Sequence, residues 1–318
     1  SYIPVDSPRA FDECMYILMC GTGVGFSVER ENVDKLPVVS DNFSKSITVI
    51  NVADSKPGWA RAYRELVALL YAGQIPEYNV DGIRPAGAKL KIMGGRASGP
   101  QPLVDLFNFT IETFKKAKGR RLYPIECHDI MCKVGEVVVV GGVRRSALIS
   151  LSNLNDDQMA HAKSGQWYDY EKQRALANNS VAYKGKPEMG TFMREWLSLY
   201  DSKSGERGIF NREAADKQVA RNGRRETGYM WGTNPCSEII LRPYQFCNLS
   251  EVVVRESDTL NTLKRKVRLA TILGTIQSTL TDFKYLRKVW KHNTEEERLL
   301  GVSLTGIMDH SVLSKNVD

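Results

Sequence analysis

Residues 20–29 read CGTGVGFSVE, and what stands on either side of their glycines decides the kind of fold. G-x-G-x-G invites a dinucleotide-binding reading. In that motif, however, the glycines follow a strand and open a helix, whose N-terminus receives the pyrophosphate. Here the order is reversed. Residues 8–20 carry the apolar spacing of a helix and FSVE that of a strand. The segment reads instead as a tight turn that brings backbone close to something, a phosphate being one candidate.

The alternation of helix and strand continues outward from this turn. SITVINV (46–52) predicts a strand, and GWARAYRELVALLYAG (58–73) an amphipathic helix closing on glycine. GGRASGP (94–100) is a loop whose proline stands where a helix starts. PLVDLFNFTIETFKKAK supplies that helix, with cations near its end. Residues 123–135 predict a further helix, VVVV (137–140) a buried strand running into GGVRRS, and ALISLSN (147–153) another strand. Helices are expected near 190–203, 211–220 and 260–290. There is no internal repeat and no low-complexity linker. Strands alternating with helices through short glycine loops predict an α/β fold, with a mostly parallel sheet or barrel, and residues 1–318 read as one domain.

A chain of 318 residues with 42% hydrophobic and 25% charged content is ordinary for a globular protein with a sizeable core. No stretch approaches the roughly eighteen uninterrupted apolar residues of a membrane span. The opening SYIPVDSPRAF has neither a basic n-region, an apolar h-region nor an initiator methionine, which reads as a fragment or a processed product. Six cysteines (14, 20, 127, 132, 236, 247) do not make a secreted disulfide scaffold and fit a reducing cytoplasm. A net charge of +7 points to an anionic partner, either nucleic acid or a phosphorylated metabolite.

Several motifs compete for the chemistry. Cys127, His128 and Cys132 fall short of the four ligands a structural zinc needs, so no metal site is expected there. Packing is the default for Cys14 and Cys20. The basic clusters KKAKGRR (115–121), RNGRR (221–225) and LKRKVR (263–268) have few interleaved aromatics and read as solvated surface. GGVRRSA (141–147) couples paired glycines to two arginines at a strand exit, a suitable device for phosphate or base recognition. The strongest signal is NPCSEIILRPYQFC (234–247). If Cys236–Leu241 is extended, alternate side chains share a face, and Asn234, Cys236 and Glu238 align as amide, thiol and carboxylate. Cys247 returns as a second thiol.

With N-P-C-S-E followed by F-C-N-L-S-E, the chain resembles the ribonucleotide reductases, and most closely their adenosylcobalamin-dependent class. CGTGVGFSVER, IRPAGAKLKIMGGRASGP, VVVVGGVRRSALISLS, RALANNS (174–180), GERGIFNR (205–212) and LLGVSLTGIMD (299–309) resemble further blocks of that family in order, although Arg207 stands where the family more often has proline. The resemblance implies a ten-stranded α/β barrel with the Cys236 loop at its centre. It implies adenosylcobalamin as cofactor, whose 5′-deoxyadenosyl radical takes hydrogen from Cys236 as cob(II)alamin forms. The Cys236 thiyl would remove the 3′-hydrogen of a ribonucleoside di- or triphosphate. Glu238 would accept the 3′-hydroxyl proton, Asn234 would hold the substrate hydroxyls, and Cys247 would be half of the reducing dithiol. Asn178, Asn179 and Ser180 are implied as substrate-binding, and Asp6, Gly141, Gly142, Arg144 and Arg145 as residues of the effector and specificity loop.

Further implied partners are a deoxynucleotide effector and a thioredoxin-like or small dithiol reductant. The family pattern sets the partner cysteine of Cys247 just before Ser1 and continues beyond NVD, so the chain is expected to be truncated at both ends, with completion from a missing segment, from protein splicing with an upstream piece, or from another chain that supplies the missing segments. Two rival readings remain at this level: a nucleotide-binding fragment without turnover, and a basic nucleic-acid-binding protein.

Overall fold

The protein is described by a computed structural model covering residues 1–90, 95–140 and 147–316. These residues form two compact units, Ser1–Pro243 and Tyr244–Asp318.

The first unit opens with β1 (Tyr2–Pro4), crosses back through α1 (Arg9–Met19), and lays β2 (Val24–Ser27) parallel to β1. An excursion follows through α2 (Arg30–Val33), β3 (Ser44–Asn51), α3 (Lys56–Tyr71), β4 (Gln74–Asn79), α4 (Gln101–Lys116) and α5 (Pro124–Val140). The chain returns as β5 (Leu148–Asn153), passes the short α6 (Asp157–Ala160) and α7 (Trp167–Tyr170), and forms β6 (Ala177–Tyr183). Then come α8 (Met189–Ser202), β7 (Gly208–Asn211), α9 (Arg212–Ala220) and the small strands β8 (Gly232–Thr233) and β9 (Ile240–Leu241).

Five strands make one parallel sheet in the order β1-β2-β5-β6-β7. Residues 2–5, 24–29 and 148–152 are continuously buried, as expected of a parallel sheet covered on both faces. One face is covered by helices. α1 buries Phe11, Cys14, Met15 and Leu18 and packs on α3 and α5, while Phe107 and Phe114 of α4 close the layer outside them. Each such side chain contributes about 1.5–3 kcal/mol by leaving water. The pair β3–β4 forms a separate two-stranded parallel sheet.

In the second unit β10 (Asn248–Val253) pairs in parallel with β11 (Leu300–Thr305), and the crossover contains α10 (Leu260–Gln277) and α11 (Lys288–Glu297).

The α/β class with a mostly parallel sheet is as the sequence predicts. Among the described residues the parallel strands make an open five-stranded sheet and separate pairs, and no closed ten-stranded barrel is formed. Two local expectations are corrected. The valines 137–140 end α5 and are not a strand. β-branched residues disfavour a helix only mildly, and here Val134, Val137 and Val138 gain more by filling the helix layer. The helix expected over 260–290 stops at Gln277, because Ser278 and Thr279 turn their hydroxyls onto the carbonyls of Thr275 and Ile276 (both 2.7 Å) and draw the backbone out of helical pairing.

Candidate functional site

The face of the five-stranded sheet opposite the helices is crossed by the β8–β9 hairpin, and glycines make the crossing possible. A Cβ on Gly25 would stand 1.8 Å from the carbonyl oxygen of Thr233, and one on Gly23 2.7 Å from Cγ of Pro235. A Cβ on Gly232 would lie 2.2 Å from the Tyr2 ring. The hairpin therefore runs over the sheet from Tyr2 to Gly23, with backbone lying on backbone where Thr233 crosses Gly25. What the glycine turn of residues 20–26 admits at close range is the hairpin itself, at Thr233 and Pro235.

β8 and β9 pair antiparallel, Gly232 opposite Leu241 and Thr233 opposite Ile240, leaving Asn234–Ile239 as the connecting loop. The expected extended run from Cys236 to Leu241 is not formed. Pro235 and Cys236 lie in a turn closed by Ser237 N–H donating to the Asn234 carbonyl at 3.0 Å. Ser237 then takes φ +66°, a left-handed conformation that costs an L-residue roughly 1–2 kcal/mol. A positive φ between Cys236 and Glu238 abolishes strand alternation, so the three residues share a loop and not a strand face. Asn234 is buried and holds this loop from within. Its Oδ1 accepts from the Ile239 N–H at 3.1 Å and lies 3.4 Å from the Thr233 hydroxyl. Cys236, Ser237 and Glu238 are exposed.

The root of the hairpin is anchored in a buried ionic cluster. Arg212 Nη1 and Nη2 grip the two carboxylate oxygens of Glu29 at 2.6 and 2.5 Å, and its Nε donates to the Trp231 carbonyl at 2.7 Å. Ser27 donates to the same carboxylate at 2.8 Å. Tyr2 lies beside them, its phenol pushed up to about 12 by burial against the pull of Arg212. Asp216 of α9 accepts from the Trp231 indole at 2.5 Å and from the Gly228 N–H at 3.0 Å. On the return strand, Arg225 donates to the Ile240 carbonyl at 3.0 Å, with its guanidinium 5.0 Å from the Trp231 ring. RNGRR is thus more than solvated surface, since its last arginine braces the hairpin. In KKAKGRR, Arg120 pairs with Glu126 and Arg121 donates to the Leu36 carbonyl, which leaves less basic surface for nucleic acid than the composition suggests. The anchoring roles of Glu29, Arg212, Asp216 and Arg225 were missed in the sequence: Glu29 stands 183 positions from Arg212, and no local pattern marks Asp216 and Arg225 as partners of Trp231 and Ile240.

The other sequence-derived candidates are scattered. Asn178 and Ser180 of β6 pair in register with Ile149 and Leu151, and Ile149 meets the Gly25 position, so both residues stand on the hairpin side of the sheet. Asn179 stands on the helix side, buried, where its Oδ1 accepts from His128 Nε2 and from the Ser150 hydroxyl, both at 2.9 Å. His128 is itself buried. Burial pulls its pKa down, but Cys132 and Asp129 outweigh that and raise it. Asp129 is gripped by Arg174 at 2.7 and 2.8 Å, and that pairing holds its carboxyl below the usual range against the effect of burial.

Cys14, Cys127 and Cys132 are buried, and burial pushes the first two thiols up. Among the described residues no group of three or more His, Cys, Asp or Glu is placed to hold a metal ion. Asp6 is half-buried in the loop leaving β1. Gly141, Gly142, Arg144 and Arg145 lie outside the described residues. Cys247 is half-buried, at the entry to β10 in the second unit. No helix of the described residues is long and apolar enough to cross a membrane.

No family model matches the chain. Among curated proteins it is 29% identical over 343 aligned residues to the adenosylcobalamin-dependent ribonucleoside-triphosphate reductase of Lacticaseibacillus paracasei, an alignment that covers 94% of this chain and 44% of that protein. It is 30% identical over 343 residues to the protein of the same name from Lactobacillus helveticus (92% and 44%). For the one from Lactobacillus leichmannii the identity is 29% over 350 residues (94% and 44%). The chain thus spans less than half the length of the curated relatives it matches. Among solved structures it resembles a crystal structure of B-12 dependent (class II) ribonucleotide reductase, with a TM-score of 0.75 and 24% identity, covering 97% of this chain and 50% of that one. That likeness is one of fold.

Proposed function

We propose, from the premise that this chain is a relative of the adenosylcobalamin-dependent ribonucleotide reductases over 92–94% of its length, that it is the part of such an enzyme that reduces a ribonucleoside di- or triphosphate to the 2′-deoxynucleotide. The observation that carries the reading is the hairpin loop: an exposed thiol at Cys236 and an exposed carboxylate at Glu238 flank a strained Ser237, on a turn tied down by the buried Asn234. Left-handed non-glycine backbone of this kind persists only where its surroundings enforce it, and it gathers at functional sites. A carboxylate two residues from a thiol is within reach of one ribose, close enough to move a hydroxyl proton.

The reaction balances as one ribonucleotide and two thiols giving one deoxyribonucleotide, one disulfide and one water. Cys236 gives up a hydrogen atom, takes the 3′-hydrogen of the ribose and returns it at the end. Glu238 takes the 3′-hydroxyl proton, and the 2′-hydroxyl leaves as water on taking the thiol proton of Cys247. Asn234, whose amide oxygen already serves the loop, has its amide NH₂ for the substrate hydroxyls. Cys247 is one reducing thiol, a second thiol closes the disulfide with it, and a small dithiol or a thioredoxin-like protein reduces that disulfide again. Adenosylcobalamin, when bound, supplies the carbon radical that removes the hydrogen from Cys236. The exposed thiol fits that task.

Asn178 and Ser180 suit substrate contacts from the sheet. Asp6, together with Gly141, Gly142, Arg144 and Arg145, is assigned to a deoxynucleotide effector. The net charge of +7 suits both nucleotides, and the six cysteines, none in a disulfide, suit the cytoplasm. Residues 1–318 are taken as part of one catalytic barrel domain.

Anaerobic turnover of a ribonucleotide with adenosylcobalamin, a dithiol and a deoxynucleotide effector tests this reading, with Cys236→Ser as comparison. The variant is expected to lose turnover and keep nucleotide affinity within about twofold, because a hydroxyl in place of the thiol leaves the loop's shape intact. Turnover that survives the substitution would sink the role of Cys236. Nucleotide binding without turnover in the unaltered chain would favour the binding-fragment reading.

A further inference from the structure

We propose that Glu29 and Arg212 are positioning residues for Cys236, the buried pair fixing where on the sheet the hairpin begins and so where its thiol comes to rest. This rests on the reading of Cys236 as the hydrogen-atom donor.

Glu29 follows the end of β2 and Arg212 opens α9 just after β7. β5 and β6 lie between β2 and β7 in the sheet, so the pair spans the sheet on the hairpin side. Both residues are buried, at 0% and 5% exposure. All three directions of the guanidinium are used, two on Glu29 and the third, Nε, on the Trp231 carbonyl. Lysine cannot reproduce that fork, because its ammonium is a point donor. Trp231 lies five residues before Cys236, and the intervening chain has no slack to absorb a shift. Gly232 lies on the Tyr2 ring, Thr233 on Gly25 and Pro235 on Gly23, each closer than a Cβ would permit. A displacement at Trp231 therefore passes along rigid backbone to the thiol loop. Asp216 on the Trp231 indole and Arg225 on the Ile240 carbonyl brace the same root from the side and from the return strand. The ladder of the sheet runs through backbone groups and does not need the pair, so the pair's distinctive load is the hairpin.

The test is hydrogen exchange on the full chain. Two variants are compared with the unaltered protein: Arg212→Lys, which keeps the charge facing Glu29, and Glu29→Leu with Arg212→Met, which removes both charges together. The hairpin amides are Ser237, which donates to Asn234 O, and Ile239, which donates to Asn234 Oδ1. The reference is Val28, whose N–H donates to Leu151 O within the sheet. The expected result is exchange about tenfold faster or more at Ser237 and Ile239, with Val28 within about twofold of the unaltered chain. Hairpin and sheet amides shifting by the same factor, or neither shifting, would overturn the proposal. So would failure of both variants to fold, since the pair would then be holding the sheet. The exchange measurement needs no turnover, so its failure is distinct from activity surviving Cys236→Ser, which would sink the functional reading instead.

Discussion

Replacing Gly25 by alanine forces the hairpin and the sheet apart, and the geometry sets the size of the effect. The new Cβ would lie 1.8 Å from the Thr233 carbonyl oxygen, 2.9 Å from its carbon and 3.3 Å from Cγ2 of Ile149. Ordinary contact begins at 3.4 Å, so the carbonyl must withdraw by about 1.6 Å, and being backbone it cannot rotate aside as a side chain would. Overpacking of this kind costs about 1–3 kcal/mol, and the backbone clash places Gly25→Ala at the upper end, about 3 kcal/mol. For a unit of 243 residues each kcal/mol lowers Tm by about 2–4 °C, so a fall of about 6–12 °C is expected. Gly185→Ala is the control: its Cβ would meet nothing nearer than Glu213 Oε2 at 3.7 Å, and a change within about 0.5 kcal/mol is expected. Thermal unfolding followed by circular dichroism reads both. A shift of this size in the hairpin also moves Cys236, and a misplacement of about 1 Å costs turnover about a hundredfold. If Gly25→Ala melts within about 2 °C of the unaltered chain and keeps its turnover, the Thr233 carbonyl does not lie against Gly25.

Other consequences can be checked more briefly. Asn234→Ala removes the acceptor of the Ile239 N–H and should cost about 1–3 kcal/mol in urea unfolding, while Asn234→Asp, which keeps an acceptor, should restore most of it. Arg207 is buried, paired with Glu195 at 2.7 Å and bonded to the Ser152 hydroxyl. Arg207→Met leaves Glu195 without that partner and should lose about 3–5 kcal/mol by the same assay. The phenol of Tyr2 is raised to about 12 by burial. A raised folded-state pKa leaves stability intact below the unfolded value near 10 and removes it as pH rises from there towards 12, because only the unfolded chain ionises in that window. Tyr2→Phe should therefore flatten the alkaline loss of stability between pH 10 and 12, and an unchanged slope would show that Tyr2 is not buried as described.

Much of this architecture is legible along the chain because it is local. The helix over 9–19, its glycine exit into β2, the helix that closes on Gly73 and the strand at 148–153 all follow from period and punctuation. The valines 137–140 were misread because propensity is a weak prior beside a layer that needs apolar volume. β6 escaped the periodicity because its almost wholly buried residues lose the alternation that marks a half-exposed strand, and β7 because four residues are too few to show a period. At the candidate site, the residue types at 234, 236 and 238 were readable and their geometry was not. Alternation was assumed, and one serine at positive φ broke it. The braces on the hairpin were invisible for another reason: Glu29 and Arg212 stand 183 positions apart, and only the folded sheet brings them together.

The amide of Asn179 also decides something at a distance from itself. Its oxygen is shared by His128 from α5 and Ser150 from β5, so a single side chain ties β6 to the helix layer and to the neighbouring strand at one setting. Adjacent residues of a strand face opposite ways, and a slip of β6 by one place would turn Asn178 under the helix and bring Asn179 out beside the hairpin. The sequence ANNS would tolerate that exchange of like for like. What opposes it is the rest of that face: His128 and Ser150 keep an amide in only one direction of slip, and either direction turns the fully buried Val181 out of the core and puts Ser180 or Ala182 in its place. Which asparagine faces the thiol loop is thus settled on the far side of the sheet, by a lock that never touches the loop.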